Sequence, residues 1–169
     1  GRLDVRDTTI ADNRTDVYGA GVFLNGAVRG RLRNVTITGN QADFNPSGIG
    51  DGGGVHRASG PGSLRIANSV IAENTAVSGR DCDSPITSEG YNFFGTADGC
   101  SGLAASDLAG TDASPLDPKL GPLLAVGNTR SRTPQTGSPL LDAGSPDALN
   151  DERTPRCTHI DQRGVERPL

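Results

Sequence analysis

Apolar and polar positions alternate in three similar stretches: LDVRDTTIADN (residues 3–13), RLRNVTITGN (31–40) and LRIANSVIAEN (64–74). Registered on the closing asparagine, each has an isoleucine three positions earlier (Ile10, Ile37, Ile71). An apolar residue lies eight positions earlier (Val5, Leu32, Ile66), and a short polar residue six positions earlier (Asp7, Asn34, Asn68). β-Branched residues in period-2 alternation predict strands, and a terminal Asn, which tolerates left-handed φ, predicts a sharp corner. GAGVF (19–23) and GGGVH (52–56) add a second recurring strand, with valines 33 residues apart. The closing asparagines step by 27 and then 34 residues, the longer step carrying the turn-rich insert QADFNPSGIGD (41–51).

A recurrence near 30 residues of strand, Asn turn, Gly-rich strand and loop points to a stacked repeat. No segment has helical periodicity. The expected fold is all-β: a right-handed parallel β-helix, or solenoid, of about three or more coils. In it Val5, Leu32 and Ile66 form one core ladder, Ile10, Ile37 and Ile71 another, and Asn13, Asn40 and Asn74 a polar corner ladder. Such rows stack about 4.8 Å apart, with amides bonding along the stack. After Asn74 the repeat fades. From Leu116 onward Pro and Gly recur too often for long elements, which predicts an irregular tail packed on the strands. The division is residues 1–100 for the coils, with a loop closed by Cys82–Cys100, and 101–169 for the tail of the same domain.

Composition narrows the core. The chain is 33% apolar with 24 glycines, four Phe, two Tyr and no Trp, which suits narrow Val/Ile/Leu cores. A net charge of −4 with scattered Arg argues against nucleic acid. No apolar run approaches the roughly 18 residues of a membrane span. Gly1 opens within a strand-like repeat, and the chain lacks Met, so an upstream part is expected. Cys82 and Cys100, 18 residues apart in turn-rich sequence, read best as a disulfide, ahead of free thiols or a metal pair. A disulfide implies an oxidising compartment.

The order of motifs is specific. Repeats ending in Asn are followed by DC, GYNFFG and GC, then DPKLGPL, GSPLLDAG, and a cysteine separated by three residues from DQRG, with RP two residues further on. This order resembles the C-terminal region of the bacterial choice-of-anchor Q proteins, which carry parallel β-helix repeats. LAVGNTR (124–130) departs from the family's usual pattern after GPL. The resemblance implies a secreted or surface-attached bacterial protein that continues beyond Leu169, and supplies no catalytic activity. It also places the partner of Cys157 beyond Leu169, so Cys157 is expected to be unpaired in this chain or bonded to another.

Acid–base chemistry on a sugar would need paired carboxylates, or carboxylates with Arg, on one face. The candidates are Asp7, Asp12, Asp51, Arg57, Arg65 and Glu73. Asp12 and Glu73 share a repeat position, but Gly39 interrupts the row, so no catalytic set is assigned. Asp142, Asp161, Arg163 and Arg167 are expected to anchor the tail, Asp161 by accepting backbone N–H groups, the arginines by bonding carbonyls or carboxylates such as Asp142. No metal site or cofactor is expected; calcium is the one cation that the Asp- and Asn-rich loops leave open. The functional expectation is an extracellular structural or adhesive protein, able to form homo-oligomers or filaments through its ends. The competing expectation is a carbohydrate-binding module or polysaccharide lyase or hydrolase, with a polysaccharide as partner.

Overall fold

The computed structural model describes residues 1–45, 48–146 and 160–167. Cys157 lies outside them, as do His159 and the C-terminal Pro168-Leu169. In chain order the strands are β1 (Arg2–Ala11), β2 (Val22–Leu24), β3 (Arg29–Thr38), β4 (Val55–Arg57), β5 (Ser63–Ala67), β6 (Val70–Ala72) and β7 (Cys82–Pro85). They continue with β8 (Thr87–Ser88), β9 (Phe93–Phe94), β10 (Gly99–Ser101), β11 (Leu108–Ala109), β12 (Leu124–Val126) and β13 (Thr129–Ser131). No described residue is helical.

Val5 and Ile10 are five positions apart, an odd step that strict alternation would send to opposite faces. The chain solves this with one left-handed residue between them: Asp7 at φ 48°, Asn34 at 54° and Asn68 at 47°. Asp and Asn enter that region at low cost, so each shifts the pleat by one and returns the following Ile to the core. The parallel register then stacks like on like. Val5 lies beside Leu32 and Leu32 beside Ile66, while Ile10 lies beside Ile37 and Ile37 beside Ile71. Leu32, Ile37, Ile66 and Ile71 are fully buried; Val5 and Ile10, in the outermost strand, are half-buried.

A larger parallel sheet of seven strands contains β1, β3, β5, β6, β8, β9 and β11; a smaller one runs β10-β7-β4-β2. In the smaller sheet Val22, Val55 and Cys82 stand in register and face the same core as Leu32 and Ile37. Gly19 and Gly52 turn the chain into β2 and β4 at φ 60° and 63°. A Cβ there would stand 2.8 Å from Phe23 Cβ and 2.7 Å from His56 Cβ, which excludes any larger residue.

These sheets correct the expectation of a right-handed parallel β-helix of three or more coils. Only β1 and β3 reach ten residues; β8, β9 and β11 have two each. The strands fall into separate sheets that curl around the core as a half-barrel, without regular coils. After Ala109 parallel pairing gives way to an antiparallel β12–β13 hairpin, with Val126 opposite Thr129. The physical reason lies in the spacing of breakers. β5 and β6 together still follow the register of β3, but Pro85 closes β7 and the strands β8, β9 and β11 that continue the larger sheet have two residues each, so the later layers do not repeat the long strand that Arg29–Thr38 makes.

Candidate functional site

The corners that follow β1, β3 and β6 are built from two residues with different duties. Asp12, Gly39 and Glu73 take the left-handed conformation, at φ 59°, 68° and 61°. The asparagines after them do not, which corrects the expectation that Asn makes the sharp turn. Their role is in the stack. Asn13 donates from both its backbone N–H and its Nδ2 to Asn40 Oδ1, at 3.1 and 2.8 Å. Asn40 repeats the pair onto Asn74 Oδ1 at 3.0 and 2.9 Å, and Asn74 onto Asp81 Oδ1 at 2.9 Å for both. Asp81 is 2% exposed. A carboxylate only accepts, so it ends a row in which every asparagine passes its donors onward. Its other oxygen accepts from the Thr96 backbone N–H at 2.7 Å. Burial raises the Asp81 carboxyl above its ordinary range, opposed by the bonds from Asn74 and Thr96. A second row repeats this scheme: Asn92 Oδ1 accepts from the Ser69 N–H, and Asn92 donates to Asp107 Oδ1 at 2.9 and 3.1 Å. Asp81 and Asp107 stand outside the strand repeats, so periodicity gave no sign of them.

The carboxylates best placed for catalysis are occupied. Arg132, just after β13, sets Nη1 2.9 Å from Glu73 Oε2 and Nη2 3.8 Å from Asp12 Oδ1, bridging the layer that holds Gly39. Glu73 also accepts from Thr38 Oγ1 at 3.0 Å. Asp7 accepts from Asn34 Nδ2 and from Arg167 Nη2, both at 3.2 Å. Asp51 accepts from Ser78 Oγ at 2.7 Å, and Arg57 Nη1 reaches the carbonyls of Ala58 and Gly60 at 3.3 and 3.4 Å. Arg65 and Arg31 share Glu89, at 3.1 and 2.9 Å. Each candidate is spent on a structural contact, and no group of three metal-ligating side chains occurs among the described residues.

The tail returns to the same face. Thr9 Oγ1 donates to Gln162 Oε1 at 2.6 Å, Gln162 Nε2 donates to Arg130 O at 2.8 Å, and the Ser145 N–H donates to Asn68 Oδ1 at 3.0 Å. Asp161 accepts from the backbone N–H groups of Arg163 and Val165, at 2.8 and 3.1 Å, and pairs with the Arg163 guanidinium at 2.5 Å. Partial burial would raise its carboxyl, but the Arg163 bond and the backbone donors outweigh that and hold it below the ordinary value. Asp142 does not receive Arg163 or Arg167. It sits exposed on a turn at φ 56°, while Arg163 goes to Asp161 and Arg167 to Asp7.

Between this tail and the outer face of the larger sheet lies a cleft of about 290 Å³. Thr36, Val70 and Phe93 contribute from the sheet, Ser131, Arg132, Pro134, Leu140 and Ala143 from the tail, and Tyr91 from the corner before β9. On the smaller sheet Phe23, His56 and Asp83 stand in register. His56 stacks on Tyr18 and Phe23 with ring centroids 4.9 and 5.7 Å away, and its Nδ1 lies 3.0 Å from Asp83 Oδ2 without a hydrogen bond. Cys82 in β7 is bonded to Cys100 in β10, with Cα atoms 5.5 Å apart across neighbouring strands. No helix among the described residues is long and apolar enough to cross a membrane. Comparison of the chain with protein-family models, curated proteins and solved structures finds no match to any of them.

Proposed function

We propose that this chain is an extracellular, non-catalytic structural or adhesive module. The observation that supports this best is Arg132 seated across Asp12 and Glu73. A general acid–base pair needs carboxylates that reach substrate and exchange protons. Here the two carboxylates face the same guanidinium, Glu73 at 2.9 Å and Asp12 at 3.8 Å, and serve as struts between body and tail. The disulfide of Cys82 and Cys100 fits an oxidising compartment, and the motif order shared with the choice-of-anchor Q proteins points the same way.

Self-association through strand edges is the route this reading favours: among the described residues β1 pairs only with β3 and β2 only with β4. The opposite end is different, because both Asn rows there close on Asp81 and Asp107 with their acceptors filled.

The test is a panel of neutral and acidic polysaccharides incubated with the purified chain, with reducing ends and unsaturated products measured. The reading expects no cleavage. Cleavage that disappears in Asp12→Asn or Glu73→Gln, in a chain that remains folded, would overturn it.

A further inference from the structure

Basic residues are dispersed along the sequence, but the parallel register gathers six arginines on one face of the larger sheet. In β1, β3 and β5, Leu3, Val5, Leu32, Leu64 and Ile66 point into the core, so the residues alternating with them point outward. Arg2 stands beside Arg29, Asp4 beside Arg31, Arg6 beside Arg33, and Arg31 beside Arg65. The charges on this face do not balance. Asp4 alone faces Arg2, Arg6 and Arg33, at 3.6, 3.5 and 3.7 Å, and Glu89, just after β8, is shared by Arg31 and Arg65. Arg29 is exposed, and no carboxylate pairs with it among the described residues. Six guanidinium groups against two carboxylates leave an excess of four positive charges, in a chain whose net charge is −4. The tail meets this sheet from the left-handed residues onward, where Arg167 bonds Asp7 and Ser145 bonds Asn68. The arginine half stays open to solvent: the side chains of Arg2, Arg6 and Arg65 are 79%, 55% and 54% exposed.

We infer that this face binds an acidic polysaccharide through Arg2, Arg6, Arg29 and Arg65. The complementary partner of an open, positively charged surface is an anion. A single anion on such a surface gains little, because exposed ion pairs are weak and screened. Anions repeated along one polymer engage several arginines together and add their contacts without a separate association cost for each. The arginines are spaced for this, roughly 4.8 Å apart between strands and roughly 7 Å apart along a strand. Guanidinium groups also offer paired N–H donors to the oxygens of each anionic group. Single-stranded nucleic acid is the less favoured polyanion, because β1, β3, β5 and β8 carry no aromatic ring on which a base could stack. An anionic membrane is less favoured too, because the outward positions beside these arginines hold no apolar residue to enter a bilayer. The inference rests on the extracellular adhesive reading and gives it a ligand class.

The experiment is titration calorimetry of the 169-residue chain with dextran sulfate, polygalacturonate, uncharged dextran and double-stranded DNA, at low salt and again at about 0.5 M salt, which screens exposed charges. Binding to at least one of the two acidic polysaccharides, none to dextran, and loss of that binding at high salt are expected. The triple variant Arg2→Gln, Arg6→Gln, Arg65→Gln should bind at least about tenfold more weakly. A control variant, Arg14→Gln, Arg80→Gln, Lys119→Gln, removes the same charge elsewhere and should bind as the wild type does. Both variants should keep the wild-type circular dichroism and melting temperature. If the triple variant unfolds, chemical-shift changes of the wild-type chain with the acidic polysaccharide must map to β1, β3 and β5 and spare the β12–β13 hairpin. No binding to either acidic polysaccharide, equal binding to dextran, equal loss in the control variant, or tighter binding to DNA overturns the inference. Product analysis of the same mixtures separates the two readings: polysaccharide cleavage would overturn the non-catalytic function, whereas absence of binding removes only the arginine site.

Discussion

The stacked body and the returning tail are held by different physics. In the body, identical positions recur layer after layer, so Leu32, Ile66 and their neighbours bury apolar area while amide rows satisfy the corners. In the tail, contacts with the body are single polar struts: Arg132 on Glu73, Gln162 with Thr9, Arg167 on Asp7 and Ser145 on Asn68. Repetition makes the body cooperative, because each layer supplies the acceptors for the one before it. The tail has no such redundancy, and exposed ion pairs add little stability each.

The contrast predicts a hierarchy of losses. Ile66→Ala, at a fully buried rung with neighbours on both sides, should cost about 2–5 kcal/mol in urea unfolding. Ile10→Ala, in the half-buried outer strand, should cost clearly less. Equal losses at the two positions would mean that the layers do not share a graded core. Asp81→Ala leaves the donors of Asn74 and Thr96 without their acceptor and should cost about 1–3 kcal/mol. A neutral effect would show that the row does not need a terminal acceptor.

Acid titration should move the two regions in opposite senses. The folded pKa of Asp81 lies above 3.8, chiefly through burial, so its contribution is fully present below 3.8 and is lost as pH rises through the folded value. Asp161 has a folded pKa below 3.8, so its contribution is present above 3.8 and is lost as pH falls through the folded value. Compared with wild type, Asp81→Asn should flatten the fall of body stability on the alkaline side of 3.8. Asp161→Asn should remove the acid-side loosening of residues 160–167, read by hydrogen exchange. Parallel behaviour of the two variants would contradict the assigned environments.

The same division explains what the sequence makes legible. Val5, Leu32 and Ile66 can be read as one row because their spacing from a closing Asn is constant, and the left-handed residues Asp7, Asn34 and Asn68 carry a matching polar signal. That constancy overreaches when extended to a full β-helix, since it lasts for three stretches and says nothing of the two-residue strands that follow. Asp81 is illegible by periodicity because it lies seven residues beyond Asn74, in a loop outside the repeat. Arg132 is illegible because its partner Glu73 is 59 residues away and nothing local marks the pair. The cleft follows from that second kind of contact: its walls meet only because the tail is strapped back over β3, β6 and β9.

Hydrogen exchange of Arg132→Ala against wild type probes that strapping. The tail segments 129–134 and 160–167 should exchange faster, while 31–40 and 64–74 keep their wild-type protection and global stability changes by less than about 1 kcal/mol. Unchanged exchange in the tail, or loss of protection throughout both body segments, would contradict a tail held on an independently stable stack by polar struts.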